Sequence, residues 1–252
     1  MQGNTPFLIA ALLTWIAGFV DAVGFLTLGH IYTANMSGNS VAIGIQFSSA
    51  DWQTALWRFW PVFAYVAGLL FCRLLLEFGA RRQIRSIASL AIICEVMLLA
   101  PVWLGHLPPS SRSYYAILHI GLLAASMGIQ NAALTKFSSL TIHTGFVTGT
   151  LVKMAEHFAA YLRWLWDHLS NRTETVRKIL QVSFRQNALR MSLWLWLMWV
   201  TYMIGAVSGA MGTRILSVRC LAIPVLLLCS IIALDLYRPL ATQEEQEQVN
   251  AS

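Results

Sequence analysis

Charged side chains make up only 11% of the chain, and no two of its 4 cysteines are spaced as CxxC. So little charge excludes an ordinary soluble domain, in which about a quarter of residues are charged. Without CxxC spacing or companion histidines, Cys72, Cys94, Cys220 and Cys229 read as free thiols packed in apolar segments, not as disulfides or zinc ligands. Histidine is equally sparse: His30, His119 and His143 stand far apart, and no span carries H-x-x-x-H or H-E-x-x-H. Neither a metal nor any other cofactor is expected. No motif joins a nucleophile to a base, so the chain is not read as an enzyme. Met1 to Pro6 lack the basic segment of a secretory leader, and the apolar run behind them lacks a small-residue cleavage site. The first helix is therefore expected to stay in the mature protein.

What the chain does contain is apolar surface: 57% of its residues are hydrophobic and the mean hydropathy is +0.62. Several uncharged runs approach the roughly 20 residues that cross a bilayer as a helix, which makes this a multi-pass membrane protein with lipid as its first partner. The net charge of +6 comes from basic residues gathered in short loops beside those runs. That pattern is an orientation signal rather than a nucleic-acid interface.

Taken in order, Phe7 to Gly29 reads as the first span, and His30 to Asn35 is polar enough to break it. The restart is apolar only from Val41 to Phe47, too short to cover roughly 30 Å at about 1.5 Å per residue. Thr54 to Leu76 is the next span, Glu77 to Arg85 a basic loop, and Ile87 to Gly105 a further span. Tyr114 to Phe137 follows, then a polar break over Ser138 to Thr144. The restart from Gly145 meets Lys153, Glu156 and His157 on one helix face. Residues 145–165 are thus expected to begin at membrane depth and emerge as an amphipathic surface helix. Residues 163–190 form the most basic connection, Ser192 to Gly212 and Cys220 to Leu236 are the last spans, and 241–252 reads as a disordered acidic tail.

The chain repeats itself. Gly128-Ile129-Gln130-Asn131-Ala132 lies over Gly18-Phe19-Val20-Asp21-Ala22 at a shift of 110, and Thr148-Gly149-Thr150 over Ser37-Gly38-Asn39 at 111. Tyr65-Val66-Ala67-Gly68 matches Tyr202-Met203-Ile204-Gly205 at a shift of 137. Six spans place the Arg81 to Arg85 loop and the 163–190 connection on the same side as both termini, whereas eight place the two basic segments on opposite sides. The six-span count leaves Arg214 and Arg219 outside, a mild conflict. The expected fold is all-α, a polytopic membrane protein of about six transmembrane helices plus two half-helices in a two-fold inverted repeat. Residues 1–106 would be the first repeat, and 107–240 the second with its basic connection.

In such a pair two half-helix starts converge near the midplane, where unpaired N–H groups, hydroxyls and glycines can receive a small solute. The candidate site residues are Asp21, Ser37, Gly38, Asn39, Gln130, Asn131, Thr148, Gly149 and Thr150. Helix capping and Gly-mediated packing explain the same residues without any solute. Asp21 is an acid within an apolar span whose repeat partner, Asn131, is neutral. It reads either as a proton- or cation-sensitive group or as a bridge to the broken backbone. Glu95 reads as a neutral acid bonded to a neighbouring helix, with a second relay carboxylate as the other reading. A small-solute transporter or channel, open to self-association, stands against a non-transporting scaffold or sensor whose basic loop recruits a partner or anionic lipid.

Gly18, Asp21, Ala22, Gly24, Met36, Gly38 and Asn39, followed by Gly128, Gln130, Asn131, Ala132, Thr148, Gly149, Thr150 and Leu151, resemble the YoaK family of bacterial membrane proteins, the DUF1275 domain. The resemblance covers roughly residues 7 to 237. Ser37 stands where the family usually has Thr, and the connection after Leu162 looks longer than usual. The resemblance implies a multi-spanning protein of the bacterial inner membrane and brings with it no substrate or activity.

Overall fold

A computed structural model describes residues 5–82, 87–105, 114–137, 147–170 and 182–237. Among these residues the chain is helical without strands: α1 (Thr5–Thr27), α2 (Met36–Ser48), α3 (Trp52–Arg81), α4 (Ile87–Leu104), α5 (Tyr114–Phe137), α6 (Val147–Ser170), α7 (Asn187–Leu216), a 3-10 turn (Ser217–Leu221) and α8 (Ala222–Tyr237). Phe7–Thr27, Trp52–Arg81, Tyr114–Leu134 and the stretch Asn187–Tyr237 are long and apolar enough to cross a membrane, with Ser89–Leu104 a shorter apolar helix.

Local chemistry sets the boundaries. α1 ends in a Schellman motif, with Gly29 at φ 79 and the His30 N–H donating to the Phe25 carbonyl at 3.1 Å. Asn35 caps α2 by accepting from the Gly38 N–H, and Asp51 caps α3 by accepting from the Thr54 N–H at 3.1 Å. With 13 residues, α2 rises only about 20 Å, short of a bilayer.

Three boundaries depart from the sequence reading. α3 continues past Leu76 through Glu77 to Arg81, because Glu77 to Ala80 include no helix breaker but Gly79, which tucks against Ile87. The 163–190 connection is shorter than its charge suggests: Arg163 and Asp167 lie in α6 and Arg190 in α7. α6 runs unbroken over 24 residues from Val147 to Ser170, past the expected end at 165. The break at 138–146, the segment 171–181 and the acidic tail lie outside the described residues. All four cysteines are free; Cys72 and Cys220 are buried and Cys94 half-buried, whereas Cys229 is exposed, so it is not packed in the protein interior.

The packing is crossed between the halves. α1 makes its principal contact with α7, and α3 with α5. Phe7 stacks on Trp194, Gly205 meets the Trp15 backbone and Gly209 that of Phe19, so α1 and α7 run in the same direction. The Trp60 Nε1–H donates to the Ile117 carbonyl at 2.9 Å, and Leu76 clusters with Ala132 and Ala133, so α3 and α5 also run together. Both crossings close on glycine. A Cβ on Gly18 or Gly128 would collide with the carbonyl of Tyr202 or Tyr65, and one on Gly205 or Gly68 with that of Trp15 or Ala125. Each contact in one pair therefore has its counterpart in the other at the shifts found in the sequence.

Candidate functional site

The break after α1 leaves backbone groups that apolar surroundings cannot satisfy, and two side chains meet that demand. Asp21, 4% exposed, accepts through Oδ1 from the N–H groups of Thr33 at 2.6 Å and Ala34 at 2.8 Å, and from the Thr33 hydroxyl at 3.3 Å. Its Oδ2 accepts from the Tyr202 hydroxyl of α7 at 2.8 Å. Asn39 is fully buried; it accepts from the Tyr32 N–H at 3.1 Å and donates to the Tyr32 carbonyl at 2.7 Å. One acid and one amide thus fix three successive residues of the break, and Arg58 of α3 adds a hydrogen bond to the His30 carbonyl at 3.2 Å.

One contact of this arrangement recurs in the second half with different charge. Asn131 stands where Asp21 does, and its Nδ2–H donates to the Tyr65 hydroxyl, the counterpart of Tyr202. Gln130 joins the halves: its Nε2–H donates to the Leu13 carbonyl of α1 at 2.6 Å, while its buried Oε1 has no partner among the described residues.

The remaining sequence candidates are placed differently. Ser37 is exposed and donates to Asn35 Oδ1 at 2.7 Å, and Gly38 sits against the Tyr32 ring. Thr148 and Gly149 are exposed and Thr150 is half-buried, all in the first turn of α6. α2 packs mainly on α3 and α6 on α7, so the structure groups Asp21 with Asn39 around one break and Gln130 with Asn131 on α5. A cavity of about 400 Å³ opens between α6 and α7, lined by Met154, Phe158, Leu162 and Trp196 among others, away from these groups.

Glu95 differs from its sequence reading. It is fully buried, yet neither carboxyl oxygen has a hydrogen-bond partner among the described residues. Its neighbours one turn away on α4, Ala91, Ile92 and Leu99, offer no side-chain donor. Tyr65, Tyr202 and Thr33 were missed as site residues. The signal for the two tyrosines was present, because they align in the repeat.

No solved structure matches this chain. It is 26% identical over 175 residues to "UPF0700 transmembrane protein YoaK" of Bacillus subtilis (strain 168), a match covering 69% of this chain and 76% of that protein. The family described as "Protein of unknown function (DUF1275)" matches residues 9–234. That range contains both copies of the repeat and every glycine on which the crossed helix pairs close, and the chain is an integral membrane protein belonging to the DUF1275 family.

Proposed function

We propose that the protein is a small-solute transporter or channel of the bacterial inner membrane, built as an inverted repeat of six spans, and not an enzyme. The observation that carries this reading is the pair of matched polar contacts within the crossed helices, Tyr202 on Asp21 and Tyr65 on Asn131. Hydrogen-bonded polar side chains inside apolar spans are costly, and concentrate where substrate or ions pass. Two such contacts related by a repeat, one acidic and one neutral, suit a site whose two sides are alike in shape and unlike in charge. The solute would lie between the two contacts, with Gln130 beside its path.

Six spans follow if α1, α3, α4, α5, α7 and α8 cross, with the 13-residue α2 entering and returning, and with α6, which carries Lys153, Glu156 and Arg163, outside the apolar count. Both termini would then be cytoplasmic. Reconstitution in liposomes with a panel of small solutes, with and without a pH gradient, tests the proposal. Uptake above protein-free vesicles that is lost in a Tyr65→Phe, Tyr202→Phe double variant supports it; no uptake of any solute class in either gradient rejects it.

The scaffold reading draws on one observation: Asp21 and Asn39 direct their polar atoms at the chain itself. It requires a dry centre. A cysteine placed at Tyr65 that reacts with water-soluble reagents argues for a path, and one inert from both sides argues for a scaffold.

A further inference from the structure

Two buried carboxylates lie within apolar helices, and their surroundings are opposite. Asp21 receives four hydrogen bonds, three of them from the break after α1 and one from Tyr202. Glu95, in the middle of α4, receives none from the described residues through either oxygen. α5 packs antiparallel on α4, with Gly105 beside His119 at one end and Ile87 and Ala91 clustered with Ala132 and Ala133 at the other. On that same α5, the buried Gln130 Oε1 is also an acceptor without a donor among the described residues.

Among the described residues, both Glu95 oxygens and Gln130 Oε1 thus lack a donor, and the buried His119 Nδ1 of α5 and Arg58 Nε of α3 make no hydrogen bond either. A bare ionised carboxylate in such a place is strongly disfavoured, so the site needs a positive partner. We propose that Glu95 is an exchangeable proton-binding site in the membrane interior, and that it is the group coupling proton movement to solute transport. The coupling role rests on the carrier reading above; the binding of the proton does not.

The proton adds to one Glu95 oxygen as an O–H bond, cancels the charge and leaves a donor for a nearby acceptor. Asp21 is less suited to the task, because four donors already compensate its carboxylate, whereas Glu95 has none among the described residues. The described titratable or charged groups on the elements around α4 are Arg58, Tyr65, Cys72, Arg73, Glu77 and Arg81 of α3, Tyr114, Tyr115 and His119 of α5, Arg219 and Cys220 of the 3-10 turn, and Cys229, Asp235 and Tyr237 of α8, with Cys94 on α4 itself. Asp235 is paired with Ser89, and none of these groups donates to Glu95. Cys72 lies within electrostatic reach of Glu95. None of them supplies a hydrogen-bonded counter-charge, which leaves the proton to do so.

Dicyclohexylcarbodiimide, which attacks protonated carboxyls in apolar surroundings, tests the site on the purified full-length protein. Peptide mass spectrometry should find the adduct on Glu95 in wild type and in Asp21→Asn, falling about tenfold between about pH 5 and about pH 10. Sodium at fixed pH separates the sources of positive charge: no effect means the site takes protons alone, and protection means that sodium competes there. Infrared difference spectra over the same pH range provide the second readout, since a protonated-carboxyl band should appear in wild type and vanish in Glu95→Gln. Labelling that is independent of pH, or a spectrum in which Glu95→Gln changes nothing, overturns the proton site. Proton-driven uptake that persists unchanged in Glu95→Gln overturns the coupling role and leaves the carrier reading standing. A titrating Glu95 in vesicles that move no solute does the reverse.

Discussion

At Asp21 the expected effect of a substitution depends on which donors it strands. Asp21→Asn keeps an oxygen for the Thr33 and Ala34 N–H groups, and the Tyr202 hydroxyl can turn to accept from the new amide. The variant should fold with a loss of about 1 kcal/mol. Asp21→Leu strands two N–H groups and two hydroxyls, at about 1–3 kcal/mol for each group that finds no other partner, so its loss should reach about 3 kcal/mol or more. Asn39 provides an independent case: Asn39→Asp keeps the acceptor for the Tyr32 N–H but cannot donate to the Tyr32 carbonyl when ionised, and should lose about 1–3 kcal/mol. Thermal unfolding in detergent checks both series; Asp21→Leu as stable as Asp21→Asn would remove the bridge from the account. The presence of Asp21 in an apolar run was legible, and so was the bridging role as one of two readings. Its partners were not, because Tyr202 lies 181 residues away and hydrogen bonding at that range is set by packing.

Glycine decides how the elements meet, and the chain contains its own control. Gly18 and Gly128 press on the Tyr202 and Tyr65 backbones, where a Cβ has no space and no flexible side chain to displace. Gly18→Ala and Gly128→Ala should each cost about 1–3 kcal/mol or more, by forcing the crossed helices apart. Around Gly44 in α2 nothing lies within 4 Å of the place a methyl group would occupy, so Gly44→Ala should stabilise by about 0.5–1 kcal/mol through helix propensity alone. Equal effects at all three positions, measured as shifts in unfolding temperature, would refute backbone contact as the reason for the crossings. The repeat marked Gly18 as equivalent to Gly128, and Gly68 to Gly205, before any packing was known. It did not indicate that the first helix of each half pairs with the third helix of the other, since a sequence shift carries no information on which partner is faced. Boundaries were read best where a described polar break intervened, as after α1, which ends at Thr27 against an expected Gly29. They were read worst where charge alone was taken as a stop: Arg81 and Arg163 both continue their helices, because arginine is a good helix former.

For the molecule as a whole, sidedness is the property that separates the proposed arrangements. α1 and α7 share a direction and so do α3 and α5, but six crossings and eight give the same two pairings. The distinction therefore falls on α2 and α6. If neither crosses, the loop after α3 and the connection after α6 lie on the same face, where the positive-inside rule expects their arginines. If both cross, those two segments lie on opposite faces, and one of them carries its positive charge to the wrong side. Replacing the four native cysteines and placing single cysteines at Arg82 and Lys178 makes the distinction measurable. In oriented membranes, an impermeant maleimide applied from outside should leave both unlabelled, and both should react once the membrane is opened. Labelling of one position from outside and the other only after opening would exclude the six-span inverted repeat, and with it the pairing of an acidic and a neutral half around one central path.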